Sequence, residues 1–162
     1  MLPSELETPT LSLFIRPAQP ADADALIQTC WRDRTLSTAA DMLRRTEKMA
    51  SHHRGLALVA ICDGAPCGFG LLTLWPRAGE ISDLIVTAKL RGRGVGTRLV
   101  QALSDAAAEL GVRTLEIGAA LSNPRALALY RRLGFKDART IELDLGCGLE
   151  PVVYLTKALP KG

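Results

Sequence analysis

The chain has 162 residues, 48% of them hydrophobic and 23% charged, which suits one globular domain with a substantial core. Aromatic residues make up only 4% and the net charge is +3, so neither a base-stacking surface nor a strongly basic face is present, and no nucleic-acid partner is expected. The charge is uneven: residues 1–80 carry −1, whereas residues 81–162 carry +4.

Taken in chain order, residues 1–10 read as a flexible tail, with a single domain expected over 11–162. Met1–Thr10 has no basic n-region or apolar h-region, and no run approaches a membrane span. A cytoplasmic protein with no membrane partner is therefore expected. Leu11–Arg16 reads as a strand, and Pro17–Asp22 as a helix-start signal. Ala23–Trp31 follows as a helix with Leu26, Ile27 and Cys30 on one face. Thr38–Met49 reads as a second helix, with Met42, Leu43 and Met49 on its apolar side. Gly55–Cys62 and Cys67–Leu74 read as strands about an Asp63-Gly64 hairpin turn, and Ile81–Val86 as the third strand of that meander.

A helix is expected from Val95 to Leu110, with Val95, Leu99, Leu103, Ala106 and Leu110 as its buried stripe and Gly111 ending it. Val112–Gly118 reads as a strand. Asn123 then supplies an N-cap and Pro124 the first position of a helix that runs to Leu133. Phe135–Leu143 and Pro151–Leu159 complete the set, joined through Gly146-Cys147-Gly148. A meander followed by a β-α-β-α-β portion predicts an α/β fold, with a mixed sheet flanked by helices. The cysteines Cys30, Cys62, Cys67 and Cys147 form no C-x-x-C, and no histidine pattern completes a zinc site, so no metal is expected. They read as reduced thiols. Cys62 and Cys67 flank the hairpin turn, but a disulfide is not expected in a reducing compartment. His52 and His53 read as loop residues.

Arg91-Gly92-Arg93-Gly94-Val95-Gly96 lies between an apolar strand and a helix. A glycine-dense turn there exposes several backbone N–H groups at the positive end of a helix dipole, an arrangement suited to phosphate. It does not form a P-loop, because G-x-x-x-x-G-K-[ST] is absent. It does not form G-x-G-x-x-G either, because the last position is Thr97 or Leu99. Arg91, Gly94 and Gly96 do fill [Q/R]-x-x-G-x-[G/A]. Further on, Asn123 to Phe135 fills N-x-x-A-x-x-L-Y-x-x-x-G-F. The two motifs, in this order with a helix and a strand between them, resemble the acyl-CoA loop and following helix of the GNAT superfamily of N-acetyltransferases. The sharp motifs cover about residues 80–137, and the element order extends the likeness over most of the chain.

The resemblance implies a single-domain layered fold with a mixed, mostly antiparallel sheet and a V-shaped split between two central strands. It implies acetyl-CoA as co-substrate, bound by Gly92, Arg93, Gly94, Val95, Gly96 and Thr97 with charge from Arg91. The strand Leu84-Ile85-Val86 would contribute an N–H to the thioester oxygen, and Asn123 would orient the donor, cap its helix, or both. Tyr130 falls at the family's tyrosine position, where a phenol of pKa ~10 would protonate a departing thiolate of pKa ~8.5; it also reads as a packed core tyrosine. Glu80, at the start of the central strand, is the first choice of base for the amine, with Asp83 as runner-up and water as a further option. In a regular strand Glu80, Ser82, Leu84 and Val86 share one face and Asp83 takes the other. No cysteine occupies a motif position, so direct attack in a ternary complex is expected, with no acyl-enzyme. The acceptor, a small-molecule, amino-acid or protein amine, is expected over the first two helices and Trp75–Glu80. A homodimer and a non-catalytic acyl-CoA-binding module stay open.

Overall fold

The computed structural model describes residues 11–160; the tail expected over 1–10, and the domain's last two positions, lie outside the described residues. The first strand, β1 (Leu13–Pro17), leads through a 3₁₀ turn at Pro20–Asp22 into α1 (Ala23–Thr29) and α2 (Leu36–Ser51). The meander is β2 (Gly55–Cys62), β3 (Ala65–Leu74) and β4 (Gly79–Val86). After a 3₁₀ turn at Ala88–Leu90 come α3 (Val95–Glu109), β5 (Thr114–Ala120), α4 (Pro124–Arg132), β6 (Lys136–Asp144) and β7 (Leu149–Ala158). The seven strands form one sheet in the order β1-β2-β3-β4-β5-β7-β6, antiparallel except between β4 and β5. The expected mixed, mostly antiparallel α/β architecture is the one observed.

Alternate residues of β2 feed cores on opposite faces. Leu58, Ala60 and Cys62 join Leu99, Leu103 and Leu155, on the face that α3 and α4 cover. Ala57, Val59 and Ile61 join Leu26, Trp31, Leu43 and Phe69, on the face that α1 and α2 cover. Burial on both faces explains why β2 is a continuous apolar run. Trp31 and Phe69 meet edge to face, 4.9 Å between ring centroids. The hairpin turn has positive φ at both Asp63 (48°) and Gly64 (87°), the geometry a two-residue turn needs to follow the strand twist.

Three expectations are corrected. The α3 stripe runs Val95, Leu99, Leu103 and Ala107 with Val100; Ala106 is only half-buried and Leu110 is 43% exposed. The helix stops at Glu109, so Leu110 is a cap residue with no further turn to press it inward. Cys62 and Cys67 are joined in a disulfide rather than reduced, leaving Cys30 and Cys147 as free thiols. The β2–β3 hairpin brings their Cα atoms to 5.8 Å, within ordinary bridging range.

The third correction concerns β4. Ser82 pairs with Leu71 and Ile85 with Phe69, so Asp83 and Leu84 together oppose Gly70 in a β-bulge. Asp83 takes φ 54° there. The extra residue shifts the alternation by one. Ile81, Leu84 and Val86 therefore pack on the α3 face, and Ile85 on the α1–α2 face. Glu80 does not share a face with Leu84 and Val86, as a regular strand would require.

Candidate functional site

The bulge sits where the sheet opens. Strands β4 and β5 pair only over Gly79–Ile81 and Leu115–Ile117. Beyond them β4 keeps β3 on one side and β5 keeps β7 on the other, so each presents a free backbone edge to a widening split. Two cavities flank this region.

The first, about 570 Å³, is lined by residues of β4 (Leu84, Ile85, Val86), the glycine loop (Arg91, Gly92, Gly94, Gly96, Thr97) and α4 with its cap (Asn123, Arg125, Tyr130, Arg132). Gly94 is the N-cap of α3 with φ 84°, a left-handed conformation that carries a penalty for residues with a Cβ. It turns the chain so that the first-turn N–H groups of α3, which have no intrahelical partner, stand at the loop. Arg93 is an exception within the loop, because its N–H donates to the Leu90 carbonyl at 3.4 Å. A Cβ added at Gly96 would lie 3.4 Å from Leu129 and 3.8 Å from Val86, both on the cavity wall, so the missing side chain leaves backbone open to whatever enters. Asn123 accepts from the Ala126 N–H at 3.3 Å, capping α4. That helix holds Tyr130 at the cavity floor, 5% exposed, 6.3 Å from the Phe135 ring. Burial raises the Tyr130 pKa to about 12.

The expected site residues thus divide. Leu84, Ile85, Val86, Arg91, Gly92, Gly94, Gly96, Thr97, Asn123 and Tyr130 come together. Val95 does not line the cavity; its side chain is in the core. Arg93, Asp83 and Glu80 also lie outside it. Asp83 is exposed on the bulge, where it accepts from the Ser82 hydroxyl at 3.3 Å. Arg125 and Arg132 were not anticipated. Both occupy variable positions of the second motif, and only the excess positive charge of residues 81–162 pointed toward them.

Glu80 lines the second cavity, about 580 Å³, with Trp75, Arg77, Glu116, Arg139, Ile141 and Tyr154 among its neighbours. It accepts from the Trp75 indole N–H at 3.1 Å. Glu80 and Glu116 are register partners across the parallel β4–β5 ladder, and Arg139 pairs with Glu116. The Arg139 guanidinium also lies 4.7 Å above the Tyr154 ring. That ring rests over Gly118, where a Cβ would approach it to 2.9 Å.

A family model described as "Acetyltransferase (GNAT) family" matches residues 23–135, and the chain belongs to that family. Among curated relatives, it is 35% identical over 99 residues to the L-2,4-diaminobutyric acid acetyltransferase of Nocardia farcinica, covering 57% of this chain and 51% of that protein. The matches span only 28% to 51% of the lengths of the first curated relatives. Among solved structures, the acetyltransferase of Salmonella typhimurium that modifies the N-terminal serine of ribosomal protein L7/L12 superposes with a TM-score of 0.83 at 16% identity, over 92% of this chain and 96% of that one. The Salmonella typhimurium yncA protein, solved with acetyl-CoA, gives a TM-score of 0.75 at 22% identity, over 93% and 95%. At these identities the structural likeness establishes the fold. Among the described residues, no helix is long and apolar enough to cross a membrane.

Proposed function

We propose that this chain transfers an acetyl group from acetyl-CoA to a primary amine by direct attack in a ternary complex. The observation that carries this reading is the first cavity, which combines a glycine-lined helix N-terminus, three arginines, a free β4 edge and a buried tyrosine. These residues fit an acyl-CoA. The open backbone at Gly96 and the first-turn donors of α3 suit a pyrophosphate, with Arg91, Arg125 and Arg132 adding charge. The free edge at Leu84–Val86 suits an extended amide-bearing arm and holds an N–H where a carbonyl oxygen gains charge; such a donor contributes about 3 kcal/mol. Acetyl-CoA, when bound, supplies an acyl carbon activated as a thioester.

Tyr130 keeps its proton on the phenol oxygen across the neutral range, because its pKa is raised to about 12. Complete transfer to a thiolate of ordinary pKa ~8.5 would run uphill by about 5 kcal/mol. Its part is therefore to donate a hydrogen bond to the departing sulfur as the C–S bond breaks, while the sulfur takes up the second proton that the attacking nitrogen releases and the phenol keeps its own. Glu80, on the other face, accepts the proton that an arriving ammonium must lose. Cys30 offers no competing nucleophile: burial raises its pKa, against smaller opposing effects from Thr29, Arg91 and Thr87, and so keeps it a thiol. The acceptor enters the second cavity, where Trp75–Glu80 forms one wall; none of its lining residues comes from the first two helices.

The test is a thermal-shift titration with acetyl-CoA, CoA, NAD and ATP, followed by thiol release with an amine panel. At 100 times its Kd, acetyl-CoA adds about 2.7 kcal/mol of stability. Stabilisation by NAD or ATP in its place overturns the reading. So does acetyl-CoA binding without turnover of any amine, which leaves a binding module.

A further inference from the structure

The charges of the second cavity are not equally available. Glu116 is neutralised by Arg139, whose guanidinium is further engaged by the Tyr154 ring. Glu80 is held only by a neutral donor, the Trp75 indole N–H. Arg77, on the turn closed by the Trp75 backbone N–H donating to the Ala78 carbonyl, has no ion-pair partner among the described residues. The cavity thus offers one unspent carboxylate and an unspent guanidinium. The rest of its wall is apolar. The Trp75 indole is 58% exposed with its edge pinned by Glu80, and Ile141 is 38% exposed beside Leu143.

Resting on the acyltransferase reading above, we infer that the acceptor is a primary amine carrying a single positive charge on an apolar body, its ammonium received by Glu80 and its body by Trp75, Ile141 and Tyr154. A second ammonium finds no free carboxylate, since Glu116 and Arg139 are spent on each other, and meets the unpaired Arg77. A polycation is therefore rejected by like charge as well as by the apolar wall. The same chemistry is offered by a small apolar amine and by the N-terminus of an apolar peptide. The two sources differ in length.

The experiment compares kcat/KM of the full chain with acetyl-CoA and four acceptors: benzylamine, hexylamine, an apolar tetrapeptide amide and spermidine. Benzylamine, hexylamine or the peptide is expected to exceed spermidine by at least about tenfold. Preference between the amines and the peptide assigns the source. Arg139→Gln, which frees Glu116, is expected to narrow the gap by raising spermidine about tenfold relative to benzylamine. Should that variant fail to fold, the wild-type ratio alone decides. Spermidine equal to or better than the monoamines overturns the inference while leaving the acyltransferase reading intact. Acetyl-CoA binding with no turnover of any of the four also overturns it. Loss of acetyl-CoA stabilisation as well brings down both.

Discussion

Gly96→Ala separates the glycine loop's contribution to folding from its contribution to binding. Gly96 lies in the first turn of α3 without a positive φ, and the added methyl meets Leu129 at 3.4 Å and Val86 at 3.8 Å, ordinary van der Waals distances. Nothing in the fold resists it, and replacing a helical glycine by alanine stabilises by about 0.5–1 kcal/mol. For a chain of this size the unliganded Tm should rise by about 1–4 °C. The methyl also projects at a wall of the first cavity, where on the proposed reading it would hold a phosphate away from the N–H groups behind it. Losing one charge-assisted hydrogen bond costs about 1.5–3 kcal/mol. Acetyl-CoA affinity should accordingly fall about 10- to 150-fold. Thermal unfolding without ligand and calorimetric titration with acetyl-CoA read the two effects separately. A more stable variant with unchanged affinity would refute backbone approach at Gly96. A variant several degrees less stable would refute the cavity geometry.

Other substitutions probe the remaining groups. Tyr130→Phe keeps the buried ring but removes the hydrogen-bond donor, so acetyl-CoA affinity should persist while kcat falls about 100-fold; equal loss of affinity and rate would reduce Tyr130 to packing. Glu80→Gln should lower kcat/KM about 100-fold for an ordinary alkylamine and far less for an amine of low pKa that is already neutral at pH 7, and equal losses would remove Glu80 as base. Asp22 is buried, which alone would raise its pKa. The Arg16 guanidinium, at 2.7 and 2.9 Å, and the Gln19 N–H outweigh that and hold it below the usual carboxylate range. Its stabilisation is present above an unfolded pKa of about 3.9 and is lost as pH falls through the lower folded value. Arg16→Ala should therefore cost about 2–3 kcal/mol at pH 7 and less in acid, measured by denaturant unfolding. A cost that does not shrink in acid would place the effect in packing.

Features encoded within one stretch of chain were legible in the sequence. The Asp63-Gly64 turn, the Gly94 entry to α3 and the Asn123 cap each depend on residues a few positions apart. The bulge was not legible. The left-handed Asp83 belongs to a register slip against β3, where Asp83 and Leu84 oppose Gly70, a pairing that local sequence does not display. Missing it placed Glu80 on the wrong face relative to Leu84. The second cavity was equally hidden, because it needs β4, β5, β6 and β7 side by side. Only its Trp75–Glu80 wall was anticipated. The cysteine pair was misjudged because the expected compartment, rather than the hairpin's geometry, decided the reading.

The inserted residue in β4 works as a phase shifter. Upstream of it the even-numbered Glu80 faces the second cavity, and downstream the even-numbered Leu84 and Val86 face the first, so a single backbone serves two chambers that share a wall and flank the open β4–β5 split. With the proposed donor and acceptor in the two chambers and meeting at that split, initial-rate lines for the two substrates should intersect rather than run parallel. The wall also divides what variation can alter: exchanging residues of the β6–β7 hairpin retunes one chamber while the glycine loop beyond the sheet keeps its shape.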